Sequence, residues 1–306
     1  MSKIGLIVEG GGMKCAYSAG VLDAFLDDGI KFDYCIGVSA GSANLASFLA
    51  NQRGRNLRFY TNHITEPGYF GLKNYFKTHN LFGLSYIYST LSNSDGADYL
   101  DYRTLILNRT EFLIVATDAV TGIPRYFHKE EMPKDDYRAI MASSALPGAC
   151  MPVEIDGKYY YDGGVADSIP VKKALDDGCD KIIIIMSKPR NYVKKPEGFK
   201  GFYSFKCRQY PKIVELLNNR HINYTKSQRL AYELESQGRA FIFTPDEAVS
   251  IGTFTMNSLS NQKMYDSGVT DYANRQKQFR EFMELTPSLD NIAHVSDGSN
   301  SASKIS

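Results

Sequence analysis

The sequence predicts an α/β protein in which a mainly parallel central sheet lies between two layers of helices, followed by a mostly helical C-terminal extension. Strand-like and helix-like segments alternate over residues 1–190, and this alternation is typical of a three-layer α/β/α arrangement. After Pro189 the chain becomes polar, aromatic and helical. We therefore predict a first domain over 1–190, an extension over 191–285 packed on it, and a disordered tail over 286–306, which is rich in small polar residues.

The individual elements are predicted from their apolar patterns. Short continuous apolar runs, which are typical of buried parallel strands, occur at 4–8, 34–38, 112–117 and 181–186. Residues 153–155 and 158–161 are predicted to form a hairpin, because the Asp156-Gly157 pair between them favours a tight turn. Helical patterns occur at 13–28, 40–51, 201–237 and 257–285, and one further strand-like run at 240–244.

Composition and charge exclude several classes of protein. The 306 residues include 35 Lys+Arg and 34 Asp+Glu, so we do not expect a nucleic-acid binder, which usually carries a global basic excess. The five cysteines are widely spaced and form no C-x-x-C pair, which fits a reducing compartment and offers no zinc site. No apolar run reaches the roughly 18 residues that span a bilayer, and residues 1–8 lack a signal-peptide pattern. We expect a cytoplasmic protein, at most peripheral to a membrane.

The sharpest chemical signal is the sequence Gly37-Val38-Ser39-Ala40-Gly41, which joins a predicted strand to a predicted helix. In a G-x-S-x-G turn, the positions two before and two after the serine must lack bulky side chains, because the turn is so tight. The serine Oγ is then held out at the sheet edge, near the partially positive N-terminus of the helix. This arrangement suits a nucleophile. The alternative is an ordinary strand–helix turn whose glycines only permit close packing.

A glycine-rich loop over residues 9–14 joins the first strand to the first helix. Consecutive glycines leave backbone N–H groups free to converge on an anion. One interpretation is a nucleotide-phosphate loop, but G-x-G-x-x-G would need a third glycine at position 15, which is Cys, and no Walker sequence is present. The other is an oxyanion hole. Adjacent parallel strands would bring this loop and Ser39 to the same end of the sheet.

A third signal is Asp162-Gly163-Gly164, which follows the predicted strand 158–161 directly. A carboxylate at a strand end, next to residues that give the backbone freedom, can be aimed into a site. The alternative is a common Asp-Gly turn. All three signals lie at predicted strand ends, and together they are much stronger than any one alone.

In combination, these motifs resemble the patatin-like phospholipases, which are lipid acyl hydrolases with a Ser–Asp dyad. The resemblance covers about residues 1–190. The matching segments are residues 9–14, 37–41, Ala142-Ser143-Ser144-Ala145-Leu146-Pro147 and 162–164, with further similarity at 116–118 and 155–161. One position departs from the family pattern: the family usually has Gly after the basic residue of the first loop, where Cys15 stands here.

The resemblance implies a patatin-like fold and roles for the motif residues. Ser39 would attack the carbonyl carbon of a lipid ester, and Asp162 would accept and return the proton. The elbow would be completed by Gly37, Val38, Ala40 and Gly41, and the acid motif by Gly163 and Gly164. The oxyanion would be held by Gly10, Gly11, Gly12, Met13 and Lys14, where Lys14 either adds positive charge or is merely solvated. No metal or cofactor would be needed.

Two other functions stay open at this stage. The order Ser39, Asp162, His221 matches the triad of α/β-hydrolases. Against a triad, Ser39 follows only the second strand, and His221 lies in a polar stretch typical of a surface. A non-catalytic lipid- or protein-binding member of the fold is the second alternative, although Ser39, Asp162 and the glycine loop are all intact.

Residues 188–226 form a basic, aromatic segment. They contain ten Lys+Arg and two acidic residues, a net charge of +8, so the rest of the chain carries −7. Basic side chains interleaved with aromatic ones suit an anionic membrane surface. The alternative is a helical cap over the first domain, with its aromatic side chains buried and its lysines solvated. The predicted partners are therefore a lipid ester substrate and, in the first interpretation, an anionic membrane, but no nucleic acid.

Overall fold

The computed structural model of this chain describes residues 2–284, and the predicted disordered tail over 286–306 lies outside them. The described strands are β1 Ile4–Val8, β2 Tyr34–Val38, β3 Glu111–Asp118, β4 Pro124–His128, β5 Val153–Ile155, β6 Lys158–Asp162, β7 Lys181–Ile185 and β8 Ala240–Phe243. The α-helices are α1 Ala16–Asp27, α2 Ala40–Leu49, α3 Arg55–Thr61, α4 Leu72–Thr78, α5 Tyr102–Leu107, α6 Arg138–Ser143, α7 Val171–Asp176, α8 Lys200–Lys206, α9 Pro211–Ser236 and α10 Ser258–Met283. Single 3₁₀ turns occur at Gly12–Cys15, His63–Thr65, Lys129–Glu131, Gly163–Val165 and Glu247–Val249, and a π turn at Tyr86–Thr90.

All eight strands form one sheet, in the order β5-β6-β3-β2-β1-β7-β8, with β4 beside β3. The pairs from β3 through β2, β1 and β7 to β8 are parallel. The pairs that join β3 to β4, β3 to β6 and β5 to β6 are antiparallel. The sheet is therefore mainly parallel, as predicted, with an antiparallel end.

Two predictions need correction at that end of the sheet. The segment 112–117 was expected to be a parallel strand, but β3 has a parallel neighbour on one side only. The reason is a short loop after Asp118, in which Gly122 adopts a positive φ of 73° and sends the chain back as β4. Strand β4 has no counterpart in the sequence prediction. It begins with Pro124 and is largely half-exposed, so it lacks the apolar run by which buried strands are recognised.

Alternate side chains of the central strands face two separate cores. In β7, Ile183 and Ile185 belong to one apolar cluster, and Ile182 and Ile184 belong to the other. Helices α1, α2 and α10 pack on the first face, and α7 and α9 cover the second. The three-layer α/β/α prediction is thus confirmed. A continuous isoleucine run is the expected signature of a strand that is buried on both faces.

Residues after 190 are part of the same architecture. Strand β8 extends the sheet beyond β7, and α10 lies against α1. The two helices approach closely at Gly20 and Gly268: a Cβ on Gly20 would come within 2.0 Å of the Tyr265 carbonyl oxygen, and one on Gly268 within 2.2 Å of that of Tyr17. Within residues 2–284, no helix combines the length and the hydropathy that crossing a bilayer requires.

Candidate active site

The sheet itself brings Ser39 and Asp162 together. Strands β2 and β6 lie one after the other along the same side of β3, because β4 takes the opposite side. Strand β2 runs parallel to β3 and ends with Val38 opposite Val115, whereas β6 runs antiparallel and ends with Asp162 opposite Ala116. Two strand ends therefore meet at neighbouring positions of β3. Ser39, which follows Val38, is placed next to Asp162 by this pairing.

Ser39 lies at a tight turn of the kind that the G-x-S-x-G spacing predicts. Its backbone has φ 54° and ψ −133°, a strained conformation for a residue with a side chain. The flanking glycines are required by their surroundings. A Cβ on Gly37 would lie 2.5 Å from the Cα of Ser42, and one on Gly41 would lie 2.5 Å from the carbonyl oxygen of Val8. The turn therefore holds the serine at the start of α2, with only 7% of its surface exposed.

Ser143 fixes this turn to the sheet. The Ser39 N–H donates to Ser143 Oγ at 2.8 Å, and the Ser143 hydroxyl donates to the Val115 carbonyl oxygen at 2.6 Å. Two residues further on, the Ala145 carbonyl oxygen accepts the N–H of Asp162 at 2.9 Å. One short segment thus positions both halves of the candidate dyad. Sequence reasoning identified this segment as a family motif and assigned it no role.

The Asp162 carboxylate is buried, with 1% of the residue exposed. Its Oδ1 accepts the N–H of Gly164 at 2.7 Å, and its Oδ2 has no hydrogen-bond partner among the described residues. The Ser39 hydroxyl lies near enough to lower the pKa of this carboxyl group, without the geometry of a formed hydrogen bond to Oδ2. Burial raises the pKa of Asp162 above its ordinary value, and the nearby charge of Arg220 is the largest opposing influence.

The glycine loop presents backbone donors beside the serine. The N–H groups of residues 10–12 have no acceptor within the part of the chain that the structure describes. The N–H of Met13, also predicted as a donor, is engaged, because it donates to the Thr253 carbonyl oxygen at 3.2 Å. A Cβ on Gly10 would lie 2.7 Å from the Cβ of Ser39, so only glycine allows this close approach. The free donors are therefore those of the three glycines.

A buried carboxylate that sequence reasoning missed anchors the glycine loop. Glu9 accepts the Ser187 N–H at 2.8 Å and forms an ion pair with Lys188, while the Ser187 hydroxyl donates to the Gly10 carbonyl oxygen at 2.7 Å. Both partners follow β7, which pairs with β1. The carboxyl ends of parallel neighbours meet at one edge of a sheet. This rule could have predicted from the sequence that the residues after β7 lie beside Glu9.

Cys15, which departs from the family pattern, is buried next to the glycine loop. Its side chain is fully buried, and its thiol donates to the Glu9 carbonyl oxygen at 3.4 Å. Burial raises the pKa of this thiol to about 12. The residue that departs from the family pattern is therefore a buried packing residue, and burial that raises the pKa of a thiol makes it less reactive.

Two cavities meet at Ser39. The first is mostly apolar, and its walls include Met13, Phe59, Tyr60, Phe82, Leu84 and Ile87. The second contains Ser39, Asp162, the glycine loop and four basic side chains, those of Lys14, Lys188, Lys194 and Arg220. We call the second cavity the basic chamber. Ser39 and Leu146 belong to both linings, so a molecule bound at the serine can extend in two chemically different directions.

His221 does not take the place of a triad histidine. It lines neither cavity at Ser39, whereas its neighbour Arg220 enters the basic chamber. The Arg220 Nε donates to the Gly164 carbonyl oxygen at 2.6 Å, beside the dyad carboxylate. No sequence signal singled out Arg220, because its role depends on how α9 crosses the second face of the sheet. Among residues 2–284, no cluster of His, Cys, Asp and Glu could hold a metal ion.

Comparisons with protein families agree with this architecture. The model of the family described as "Patatin-like phospholipase" matches residues 6–175, which is more than half of the chain. A second family model, described as "Domain of unknown function (DUF6363)", matches residues 210–284.

Three individual proteins are similar to this chain to different extents. "Uncharacterized protein YjjU" from Escherichia coli (strain K12) is 30% identical over 253 residues, which cover 81% of this chain and 70% of that protein. "Uncharacterized NTE family protein Rv1063c" from Mycobacterium tuberculosis (strain ATCC 25618 / H37Rv) is 32% identical over 74 residues, 24% of this chain and 19% of that one. VipD from Legionella pneumophila, a crystal structure, aligns with a TM-score of 0.43 and 11% identity over 88% of this chain and 66% of its own. The chain thus spans less than two thirds of the latter two proteins.

Proposed function

The chain belongs to the patatin-like phospholipase family, and from that premise we propose that it is a serine hydrolase that cleaves lipid carboxylic esters through an acyl-Ser39 intermediate. One observation carries the proposal. A strained, strand-end serine and a buried aspartate with an unpartnered oxygen lie at neighbouring positions of β3, beside three free backbone donors. A merely structural turn needs neither the unpartnered oxygen nor the strain.

The proposed reaction has two halves. Ser39 Oγ attacks the ester carbonyl carbon while its proton passes to Asp162 Oδ2, and the N–H groups of residues 10–12 bind the oxyanion. As the tetrahedral intermediate collapses, the C–O bond to the alcohol breaks, and Asp162 returns the proton to that alcohol. In the second half, Asp162 takes a proton from water, the resulting hydroxide attacks the acyl-enzyme, and Ser39 regains its proton as the fatty acid leaves.

Asp162 works as a base because its environment changes its chemistry. An aspartate in water is a weak base at neutral pH, since its pKa is about 4. Burial raises the pKa of Asp162, which improves its match to the serine proton. The charge of Arg220 and the Gly164 N–H moderate that effect, so the carboxylate stays available for proton transfer.

We propose that the two cavities bind different parts of the substrate. The apolar cavity suits the acyl chain, since most of its wall is aromatic and aliphatic. The basic chamber receives the alcohol side of the ester. An apolar groove lined by Leu72, Phe199, Phe202 and Phe254 also shares Leu146 with both cavities, and it offers the lipid a route from the surface.

We propose that this groove opens onto an anionic lipid bilayer. Helix α4 and the start of α8 beside it carry strongly exposed apolar side chains, among them Phe76 in α4, at 80% exposed, and Phe199 just before α8, at 89%. They also carry exposed lysines at their solvent surface. Amphipathic surfaces of this kind lie at the membrane interface, where rings enter the headgroup region and cations meet anionic lipid. All five cysteines are free thiols, which fits a reducing compartment, and we propose a cytoplasmic location at the periphery of a membrane.

Labelling with a fluorophosphonate tests the nucleophile. Such probes form a covalent bond with an activated serine, so the wild type is expected to be labelled at Ser39 and Ser39→Ala to be unlabelled. Ser85→Ala is the control, since Ser85 is exposed and lines neither cavity at Ser39. Labelling that persists in Ser39→Ala would refute the assignment, and an absence of labelling in a folded wild type would favour a non-catalytic lipid-binding protein.

A further inference from the structure

The basic chamber holds more positive charge than the dyad chemistry requires. Lys14 is the last residue of the glycine loop, whereas Lys188, Lys194 and Arg220 come from the basic segment 188–226. The other seven basic residues of that segment are solvent-exposed. Three side chains of this segment thus line the basic chamber together with Lys14.

Three carboxylates, those of Asp162, Glu9 and Glu197, only partly compensate these four cations. Glu9 pairs with Lys188, and Glu197 accepts from Lys194 Nζ at 2.6 Å and from Arg220 Nη1 at 3.0 Å. The Lys14 ammonium and the Arg220 Nη2 have no acceptor among residues 2–284. The chamber therefore keeps unused donors from two different elements, the turn at Gly12–Cys15 and α9.

The cations also act unfavourably on one another. Burial lowers the pKa of Lys14, and repulsion from Lys188 lowers it further. Burial and the charge of Arg220 likewise lower the pKa of Lys194. Half-buried like charges in one cavity cost free energy unless an anion joins them. A bound anion would reduce this repulsion, so the cluster has the charge distribution of an anion-binding site.

The chamber offers no site for a cationic head group. Lys188 Nζ lies 4.9 Å from the centre of the Tyr224 ring and 5.6 Å from that of Tyr192, and Lys14 Nζ lies 5.9 Å from the latter. Aromatic faces that could bind a quaternary ammonium group are thus already covered by lysines. The chamber volume is about 120 Å³, whereas one water needs about 10–15 Å³, so a polyatomic anion has room.

We propose that the basic chamber binds the phosphate of the substrate, so that the hydrolase acts on glycerophospholipids whose head group is anionic and carries no amine or quaternary ammonium group. This proposal rests on the proposed function. In such a lipid only the glycerol backbone separates the ester carbonyl from the phosphate. A carbonyl at Ser39 therefore places the phosphate in the same chamber, where Arg220 and Lys14 supply donors.

Binding to the inactive Ser39→Ala protein tests this proposal without hydrolysis. Isothermal titration would compare 1-oleoyl-glycerol-3-phosphate, monoolein, oleoyl-lysophosphatidylcholine and inorganic phosphate, with each lipid below its micelle concentration. We expect the lipid phosphate to bind at least tenfold more tightly than monoolein and the choline lipid. Equal affinities for the three lipids would overturn the proposal. Binding of inorganic phosphate at an affinity equal to that of the lipid phosphate would show a free-anion site and would also overturn it.

Variants identify the chamber as the site of that preference. In the Ser39→Ala background, Lys194→Gln and Lys14→Met are each expected to weaken binding of the lipid phosphate about tenfold, and Lys194→Arg to restore most of the loss. Lys226→Gln, an exposed change in α9, is the control and should have no effect. A preference that survives in both chamber variants would contradict the proposal.

The same ligands separate this inference from the proposed function. If the lipid phosphate binds in a lysine-dependent way but wild-type protein releases no fatty acid from it, the hydrolase assignment fails and the anion site stands. If fatty acid is released equally well from monoolein and from the lipid phosphate, and neither chamber variant changes the ratio, the hydrolase stands and the anion site is overturned.

Discussion

At the scale of single residues, the chemistry depends on two opposing influences on Asp162. Burial raises the pKa of its carboxyl group, and the guanidinium of Arg220 is the largest influence that lowers it. In the proposed reaction the base must be ionised to accept the serine proton, so we expect activity to be lost as the pH falls through the pKa of Asp162. The position of that acid limb therefore reports the balance between burial and charge.

Arg220→Gln should move the acid limb of kcat/KM to higher pH. The substitution removes a positive charge that favours the ionised carboxylate, so the pKa of Asp162 rises and a higher pH is needed to keep the base ionised. The measurement is the pH profile of hydrolysis of a small neutral ester, which does not use the anion site. Arg229→Gln, exposed on the same helix, should leave the profile unchanged. A limb that stays in place or moves to lower pH in Arg220→Gln would be incompatible with this account.

At the scale of elements, the turn at Ser39 shows why the glycines of G-x-S-x-G are needed. Gly41 lies against β1 and not against solvent, since a Cβ there would be 2.5 Å from the Val8 carbonyl oxygen and 2.8 Å from that of Glu9. Both oxygens belong to backbone that leads into the glycine loop. A side chain at position 41 would therefore disturb the nucleophile and the oxyanion donors together.

Gly41→Ala is expected to destabilise the fold by about 1–3 kcal/mol, which is typical of inserting a methyl group into a packed region, and to reduce ester hydrolysis. Gly201→Ala is the matched control. It lies in α8, where nothing would contact the new Cβ, and alanine in an exposed helix is more favourable by about 0.5–1 kcal/mol. Urea denaturation measures both changes. Equal effects of the two substitutions would show that the contact with β1 has no energetic role.

The elements that could be predicted from the sequence are those determined by a short stretch of neighbouring residues. Apolar runs identified the buried strands, and the Asp156-Gly157 pair identified the hairpin, where both residues adopt positive φ. Sequence reasoning missed β4, because a half-exposed edge strand that begins with Pro124 has no such pattern. It also gave no role to Ser143 or Arg220. Each of them contacts a site residue that lies more than 50 positions away in the sequence. Such contacts form only when the sheet and α9 are assembled.

At the scale of the whole molecule, the near-zero net charge conceals an uneven distribution. The segment 188–226 carries +8 against −7 elsewhere. In the structure its basic residues separate into three that enter the chamber and seven that face solvent. Its aromatic residues separate as well, since Phe199, Phe202 and Phe205 are exposed whereas Tyr203 and Tyr224 are buried. The segment is thus both a cap over the site and a candidate membrane surface.

Replacing Lys195 and Lys200 with Gln should weaken binding to anionic vesicles. Each cation near such a surface contributes about 1 kcal/mol, so the pair is expected to change the partition coefficient by roughly thirtyfold. Cosedimentation with vesicles of phosphatidylglycerol and phosphatidylcholine measures this. The control pair, Lys263→Gln and Lys277→Gln on α10, should sediment like the wild type. If the Lys195 and Lys200 variant binds as well as the control, the basic residues before and at the start of α8 do not form the docking surface.

The central claim is that Ser39 and Asp162 form a dyad that works without a histidine. It is tested most directly by kcat/KM for hydrolysis of a neutral fatty-acid ester by folded Asp162→Asn and His221→Ala proteins. The account predicts a loss of about 10³-fold or more in Asp162→Asn, as for removal of a catalytic base, and a change of no more than about twofold in His221→Ala. Loss of activity in His221→Ala, or near-normal activity in Asp162→Asn, would contradict it.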